Sequence, residues 1–260
     1  MRIATWNVNS LKARIPRVEE FLGYADVDVL CLQETKLSDQ AFPQLQFGAL
    51  GYESVHYGQG QWNGVAILSR VGIDDATFGF GEGFDDPYEG DARLLTAKCG
   101  GVTVSSTYVP NGRSVGSEYY ERKILWLATL REWLGSRRSP DEPYLISGDF
   151  NVAPEDRDLW DPSAFIGSTH VTEPERAAVR SLREWGMQDA FRLVYPEVDR
   201  CFTYWDYRAG DFHQHRGMRI DHLLATPPVA KRVTWAVVDR NARKGKLPSD
   251  HAPLIVDLSD

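Results

Sequence analysis

Cysteine is scarce in this chain, with three among 260 residues. Cys31, Cys99 and Cys201 lie far apart, are odd in number and form no C-x-x-C pair. This spacing indicates neither a cysteine zinc site nor a redox motif. Because Cys31 falls inside an apolar stretch, we expect free thiols in a reducing cytoplasm.

Long hydrophobic runs are also missing. Every apolar stretch is far shorter than the roughly 20 residues that span a bilayer, and the opening MRIATWNVNS has no apolar signal core. No linker, low-complexity tract or short-period repeat divides the chain. We therefore expect residues 1–260 to form one cytoplasmic domain, rather than two small ones, with no membrane partner.

Positive charge is in deficit, and the formal net charge is −8. A polyanionic partner is bound mainly through Lys and Arg side chains, so the negative net charge argues against such a partner. The basic residues are nevertheless clustered, and a local positive rim around an acidic centre would still attract DNA. They flank one loop and crowd the C-terminal quarter: Arg208, Arg216, Arg219, Lys231, Arg232, Arg240, Arg243, Lys244 and Lys246.

Hydrophobic patterning predicts many strands and three main helices. The predicted strands are RIATWNV, DVDVLCLQET, NGVAILSR, DDATFGF, ARLLTAKC, VTVSSTYV, PYLISGDFN, CFTYW, MRIDHLLA, VTWAVVD and PLIVDL, with a Gly100-Gly101 hairpin. The first helix has Pro16 in its first turn and Val18, Phe21 and Leu22 on its inner face. The longest helix covers 117–138, with Ile124, Leu127, Ala128 and Leu134 inside and Gly135 as its stop. The third covers about 173–185.

Several adjacent strands have only hairpin-length links, which does not suit a parallel doubly wound sheet. The order favours a four-layer α/β sandwich, in which two packed mixed β-sheets are flanked by helices.

Polar residues recur where the apolar strands end. They are Asn7, Gln33, Glu34, Tyr108, Asn111, Asp149, Asn151, Asp221, Asp250 and His251. If these ends meet at one rim, the carboxylates would repel one another unless a cation lies among them. Oxygen ligands without cysteine or paired histidines suit Mg²⁺ or Mn²⁺, and phosphoester hydrolysis is the chemistry this indicates.

No single residue decides the matter. An aspartate at a strand end, such as Asp149, is usually a turn former or helix cap, and a lone histidine is rarely a catalyst. Glu34 is harder to dismiss, because it follows five residues of nearly pure core and would be expensive to bury unpaired. The prediction of an active site therefore depends on all of these residues occurring together.

The same segments resemble the exonuclease III family of apurinic/apyrimidinic endonucleases, in the endonuclease/exonuclease/phosphatase superfamily that also includes DNase I. The resemblance covers the whole chain and rests on TWNVNSLKAR, LCLQETK, STYVPNG, ISGDFNVAP, RIDHLLAT and SDHAPL. It implies a DNase I-like fold.

The resemblance also implies roles for these residues. Glu34 would be the principal metal ligand, with Asn7 and Asp250 nearby. Asp149 would orient or deprotonate the attacking water, and Asn151 would hold that water or the phosphate. Tyr108, Asn111 and His251 would donate hydrogen bonds to the phosphate, and Asp221 would pair with His251. Asn9 stands where some relatives carry Asp, which leaves open whether one metal or two act.

DNA recognition is expected in FTYWDYRAGDFHQHRGMRID, where aromatics precede arginines. The resemblance places Tyr204 or Trp205 against a flipped-out abasic sugar, with Met218 close by. Packing in the core is the alternative for Trp205. Arg93 and Arg113 are expected to contact backbone phosphates.

The leading hypothesis is a Mg²⁺-dependent DNA repair endonuclease, for which Mn²⁺ substitutes. It would cut 5′ to abasic sites in duplex DNA, leave a 3′ hydroxyl, and process blocked 3′ ends by exonuclease and phosphodiesterase or phosphatase activity, as a monomer. Two alternatives share the scaffold: a hydrolase of another phosphoester, and a catalytically silent nucleic-acid-binding regulator. Retention of the acidic, amide and imidazole set argues against the silent regulator.

Overall fold

Strands account for most of the core in the computed structural model, which describes residues 1–260. The strands are β1 (Arg2–Asn7), β2 (Val29–Gln33), β3 (Glu53–Tyr57), β4 (Val65–Ser69), β5 (Asp74–Phe78), β6 (Leu94–Cys99), β7 (Val102–Tyr108), β8 (Tyr144–Asp149), β9 (Gln188–Asp189), β10 (Asp221–Ala225), β11 (Val233–Val238) and β12 (Leu254–Leu258). The helices are α1 (Leu11–Ala25), α2 (Gln44–Ala49), α3 (Glu118–Arg137), α4 (Glu173–Trp185), α5 (Ala190–Val194), α6 (Asp211–Gln214) and α7 (Pro227–Ala230). None of the helices is both long and apolar enough to cross a membrane.

The strands form two six-stranded sheets. The first has the order β11-β12-β1-β2-β4-β3, and the second has the order β5-β6-β7-β8-β10-β9. Each sheet contains one parallel pair, β1 with β2 and β7 with β8, and the remaining pairs are antiparallel. Both sheets are therefore mixed, as the sequence predicts.

The largest hydrophobic cluster lies between the sheets and includes Ile3 and Cys31 of the first with Val104 and Leu145 of the second. Because side chains alternate along a strand, the neighbouring residues face outwards and pack against helices. Helix α1 covers the first sheet with its predicted face of Val18, Phe21 and Leu22, while α3 and α4 cover the second. This is the predicted four-layer sandwich.

Two helix details differ from expectation. Helix α1 begins at Leu11, so Pro16 lies in its second turn and not its first. Helix α3 continues through Gly135, and it buries Trp126 and Trp133 while Ala128 is exposed. Large aromatic side chains bury more apolar area than alanine, and they set the orientation of this helix.

Two strand details also differ. CFTYW is not a strand, because Tyr204 makes only isolated bridges to Met218 and His251. The edge strand β3 was not predicted, since its sequence ESVHY is half polar. Tyr204 finds its backbone partners in other segments of the chain, whereas β3 pairs with the next strand, β4, and was missed because of its polar composition.

Candidate active site

The candidate site forms where polar residues on neighbouring strands stand side by side. In the second sheet, the register pairs Asp149 of β8 with Tyr108 of β7 on one side and with Asp221 of β10 on the other. Strands β7 and β8 are parallel and end at the same edge, where the antiparallel β10 begins. The first sheet contributes Asn7, the last residue of β1, and Glu34, which follows β2.

A single amide joins two carboxylates from the two sheets. Asn7 Nδ2 donates to Glu34 Oε1 at 2.8 Å and to Asp149 Oδ2 at 2.9 Å. The Asn7 side-chain oxygen accepts a hydrogen bond from the backbone N–H of Asn9 at 2.9 Å. Glu34 and Asp149, which are 115 positions apart in the sequence, therefore share one partner.

A lysine lies beside Glu34 at the mouth of the site. Lys36 Nζ is 2.8 Å from Glu34 Oε2 and donates to Asn9 Oδ1 at 2.6 Å, while Asn9 Nδ2 donates to Asp250 Oδ1 at 3.2 Å. Burial alone would raise the pKa of Glu34, but the Lys36 charge and the Asn7 hydrogen bond outweigh it and lower that pKa. Sequence reasoning assigned no role to Lys36, although it stands two residues after Glu34 in QETK.

His251 and Asp221 form a buried ion pair. His251 Nδ1 donates to Asp221 Oδ2 at 2.8 Å, and His251 Nε2 lies 3.8 Å from Asp149 Oδ2. Burial opposes a charge on the ring, but Asp221 and Asp149 together raise the pKa of His251 to about 10. The imidazole is therefore protonated at neutral pH, and the Asp-His pairing implied by the resemblance is present in the structure.

Asp149 lies in an environment that favours its protonated form. Burial is the largest influence, and with the charges of Asp221 and Glu34 it raises the pKa of Asp149 to about 7, against the opposing charge of His251. The other carboxylate oxygen, Oδ1, accepts from the backbone N–H of Asn151 at 2.8 Å. Asp149 can therefore both hold and release a proton near neutral pH.

Neutral donors lie beside this acid. Burial and the Glu34 charge raise the pKa of Tyr108 well above its ordinary value, so the phenol retains its proton. Asn111 Nδ2 donates to Asn151 Oδ1 at 3.2 Å, and Asn151 Nδ2 donates to the Val109 carbonyl at 2.9 Å. The two amides are thus fixed relative to each other, next to Asp149.

The chemistry of the donor set fits a hard cation. Ligand atoms of Asp149, Asp221 and His251 lie within 4.8 Å of one another, and Asp221 Oδ1 is buried without a hydrogen-bond partner. A protonated imidazole has no free lone pair, so carboxylate oxygens rather than the His251 ring would bind the ion. Together with Glu34, three carboxylates face one imidazolium and the Lys36 ammonium. This group could hold a metal ion.

The predicted recognition segment divides between surface and core. The Tyr204 ring is half-buried, with its centroid 5.0 Å from that of His251, and its backbone pairs with Met218. Trp205 is fully buried against Phe202 and Phe212. The geometry therefore favours Tyr204 over Trp205 for contact with a substrate, and Trp205 belongs to the core. Met218 is buried, with 6% of its surface exposed.

Arg93 and Arg113 line a cavity of about 330 Å³ that reaches Tyr108 and Asn111. The Arg113 guanidinium lies 3.6 Å from the centre of the Tyr119 ring. The same cavity is lined by Trp62, which is 65% exposed and was missed in the sequence. The sequence does contain a signal for an exposed Trp62. This tryptophan lies among glycines and amides in GQGQWNG, and that segment contains no other hydrophobic residue with which it could form a core.

The two-sheet fold and this site of carboxylates, amides and imidazole define the class. The model of the endonuclease/exonuclease/phosphatase family matches residues 4–251, and the chain belongs to this family.

Particular relatives are similar over nearly the whole chain. Exodeoxyribonuclease III of Haemophilus influenzae is 32% identical over 98% of this chain and 98% of its own length. An AP endonuclease from Archaeoglobus fulgidus is 36% identical, with a TM-score of 0.95 and full coverage of both chains. A 3′ phosphatase from Neisseria, solved with a product DNA hairpin, is 35% identical, with a TM-score of 0.93 and full coverage of both chains.

Proposed function

We propose that this protein is a Mg²⁺-dependent DNA repair enzyme, for which Mn²⁺ substitutes. It hydrolyses the phosphodiester 5′ to an abasic site in duplex DNA, leaves a 3′ hydroxyl, and removes nucleotides and phosphate groups from 3′ ends. The observation that carries the proposal is the hydrogen-bonded line Glu34–Asn7–Asp149 beside the Asp221–His251 pair.

The proposed chemistry assigns the proton transfers to the chain's own groups. Asp149, with its pKa raised to about 7, accepts a proton from the attacking water, which Asn151 positions. The His251 imidazolium and the neutral Tyr108 and Asn111 donate hydrogen bonds to the phosphate, where negative charge increases in the transition state.

Bound Mg²⁺ would add positive charge at the phosphate and the departing 3′ oxygen, and Glu34 would hold it with Asn7 and Asp250 nearby. Attack in line requires the water and the departing oxygen to lie on opposite sides of phosphorus. In this proposal Asp149 serves the attacking water and Glu34 the metal at the departing oxygen, as two separate carboxylates that share the Asn7 amide as a hydrogen-bond donor.

Three features support a DNA substrate over another phosphoester. Tyr204 lies beside His251, with Met218 behind it, where an extruded sugar would meet the reacting phosphate. Arg93, Arg113 and Trp62 line the adjoining cavity and offer phosphate contacts and an aromatic surface. The relatives named above are described as a DNA exonuclease, an AP endonuclease and a 3′ phosphatase seen with DNA.

We further propose that residues 1–260 act as one domain, because both sheets share one core, and that this domain works as a monomer. The proposed compartment is the cytoplasm. Cys31 and Cys99 are free buried thiols, which suits a reducing environment.

The test uses three labelled duplexes: one with a tetrahydrofuran abasic analogue, one with a 3′ phosphate, and one with an unmodified recessed 3′ end. We expect Mg²⁺-dependent incision immediately 5′ to the analogue, release of the 3′ phosphate and stepwise shortening of the plain end, all abolished by EDTA.

Asp149→Asn is the matched control, since it keeps the side-chain shape and removes the base. The cleavage rate of this variant is expected to be roughly 10²- to 10⁴-fold lower than that of the wild type on each substrate. Tight binding of all three duplexes without cleavage would instead identify the silent regulator. Cleavage of only a non-nucleic phosphoester would identify another hydrolase.

A further inference from the structure

Two charged residues that the proposed chemistry does not use are fully buried beneath the site. Lys123 of α3 and Glu175 of α4 each have 0% side-chain exposure, and Lys123 Nζ donates to Glu175 Oε1. Burial alone would raise the pKa of Glu175, but the charge and hydrogen bond of Lys123 outweigh it and lower that pKa to about 2. The carboxylate is therefore ionised in the folded protein.

The ammonium is bonded to the two loops that carry the site's amides. Lys123 Nζ donates to the backbone carbonyl of Asn151 at 2.7 Å and to that of Asn111 at 3.3 Å. His170 Nδ1 also donates to the Asn151 carbonyl, at 2.6 Å. One buried cation thus joins the segment after β7 to the segment after β8.

The carboxylate is held from the opposite side. Glu175 Oε1 accepts from the Thr169 hydroxyl at 2.7 Å and from the backbone N–H of His170 at 2.8 Å, and Oε2 accepts from the backbone N–H of Thr172 at 3.0 Å. The carboxylate accepts hydrogen bonds on both oxygens, and its position is fixed by the single segment 169–172 and by α4.

Asn151 needs such support, because its backbone is in the left-handed region with φ of 50°. In that conformation its N–H donates to Asp149 Oδ1 and its side chain meets Asn111. Gly112 has φ of +84°, and a Cβ there would lie 2.9 Å from Lys123 Cδ, so this backbone is pressed against the lysine stem. Movement of the lysine would disturb both amides and the orientation of Asp149.

Stability alone does not account for the pair. Replacing a buried ion pair by uncharged side chains of similar volume is often neutral or stabilising, whereas removing one partner leaves an uncompensated charge. We propose that Lys123 and Glu175 are positioning residues, which fix the carbonyls of Asn111 and Asn151 and thereby hold Asn111, Asn151 and Asp149 in their reacting arrangement. The inference rests on the proposed function for the identity of the reaction.

The decisive variant is the double substitution K123M/E175Q. It leaves no unpaired buried charge, and Met keeps the volume of the lysine stem. The Gln oxygen keeps an acceptor for the Thr169 and His170 donors, and its amide nitrogen can donate to the Thr172 hydroxyl, which lies 2.7 Å from Glu175 Oε2 in the wild type. The Thr172 N–H is the one donor that loses its acceptor. We expect the melting temperature to stay within a few degrees of the wild type, kcat to fall about 10²-fold, and KM to change less than about threefold.

The matched control is R180Q/E173Q, which removes an exposed ion pair from the same helix α4. It should leave kcat, KM and hydrogen exchange unchanged. A folded K123M/E175Q enzyme with wild-type kcat would overturn the proposal, because a structural pair without a positioning role predicts that result.

Hydrogen exchange gives a readout that does not depend on activity. Peptides covering residues 109–113 and 149–153 should exchange faster in K123M/E175Q than in the wild type and the control. Unchanged exchange in both segments counts against the proposal even if no substrate is cleaved. Faster exchange in a protein whose wild type cleaves no DNA would support the positioning role and reject the proposed reaction.

Thr169→Val keeps the inference testable if the double variant does not fold. It retains both charges and removes the hydroxyl that bonds Glu175 and lies 3.3 Å from the Asn111 carbonyl. We expect faster exchange in 109–113 and a lower kcat at unchanged KM. Wild-type values for both would overturn the proposal.

Discussion

Asp149 and His251 both have raised pKa values, with opposite consequences for their charge. Burial and neighbouring carboxylates bring the pKa of Asp149 to about 7, which makes this acid able to take up a proton at neutral pH. Asp221 and Asp149 outweigh burial at His251 and bring its pKa to about 10, which keeps this base charged. A proton acceptor and a cationic donor therefore coexist 3.8 Å apart.

The first prediction at this scale concerns Asp221→Asn. Asp221 is the largest influence that raises the pKa of His251, so its loss lowers that pKa and uncharges the ring at alkaline pH. In the wild type, the charged ring persists up to about pH 10. In the variant, kcat should fall roughly tenfold per pH unit above the new, lower pKa. The measurement is kcat from pH 6 to 9.5.

The control for this prediction is the double variant D221N/H251N. If the alkaline loss comes from His251, adding D221N to H251N should introduce no further loss of kcat at alkaline pH; a change near neutral pH is expected, because Asp221 also raises the pKa of Asp149. A D221N profile parallel to the wild type up to pH 9.5 would contradict the assignment.

The second prediction concerns His222, a buried residue outside the reacting set. Burial and the Arg219 guanidinium lower the pKa of His222 to about 4, and its Nε2 donates to the Val152 carbonyl at 2.9 Å. In the unfolded chain His222 takes up a proton near pH 6.5, whereas in the folded protein it does so only near pH 4. The free energy of unfolding is therefore unaffected by His222 above pH 6.5 and falls as the pH drops from 6.5 towards 4. This decrease amounts to about 3 kcal/mol.

His222→Gln should therefore lose less unfolding free energy than the wild type between pH 7.5 and 4.5, measured by urea unfolding at each pH. Gln retains an N–H for the Val152 carbonyl, and the acidic groups that titrate in both proteins cancel in the difference. Equal losses in the two proteins would show that His222 does not set this acid sensitivity.

At the scale of elements, the strands hold the reacting groups and the connecting loops supply the substrate surface. Tyr108, Asp149 and Asp221 are aligned by the register of β7, β8 and β10. Trp62, by contrast, lies in the β3–β4 loop, with 65% of its surface exposed. A tryptophan so exposed beside Arg93 is suited to stacking on a nucleobase.

The third prediction is that Trp62→Ala weakens DNA binding by about 1–3 kcal/mol, or roughly 5- to 150-fold in Kd, the amount attributed to one stacked base. Fluorescence anisotropy of a labelled duplex in the D149N background with Mg²⁺ measures this without turnover. Trp235→Ala is the matched control, since Trp235 is 38% exposed and its register with Asp257 and Arg2 puts it at the opposite end of β1 from Asn7. Equal affinity of both variants would contradict the stacking role.

For the whole molecule, a net charge of −8 coexists with a proposed polyanionic substrate. The excess of carboxylates is partly explained by the site, where Glu34, Asp149 and Asp221 face a smaller positive charge. A cation bound there would relieve their repulsion and so stabilise the entire folded chain by mass action.

The fourth prediction follows: millimolar Mg²⁺ should raise the melting temperature by a few degrees, and Glu34→Gln should abolish that increase. Thermal unfolding with Mg²⁺ and with EDTA measures it. Glu53→Gln is the control, because Glu53 begins β3 at the end far from the site and is exposed. A full Mg²⁺ response in E34Q would remove Glu34 from the metal site.

Local patterning was enough to predict the elements whose face or core is strongly apolar. Helix α4 matches its predicted bounds, and β1, β2, β7 and β8 lie within a residue or two at their polar ends. Prediction failed where long-range packing decided the outcome: CFTYW pairs with Met218 and His251 instead of forming a strand, and α3 turns its tryptophans inwards.

The sequence by itself determined the polar residues that end each apolar strand, and hence the chemical inventory of the site, because alternation and core composition are local properties. Only the tertiary structure decided which of them share a hydrogen bond, that Tyr204 rather than Trp205 faces the site, and that Lys36, Trp62 and the Lys123–Glu175 pair adjoin it. These facts depend on contacts between distant segments, and the burial and neighbouring charges in those contacts set the protonation of each group.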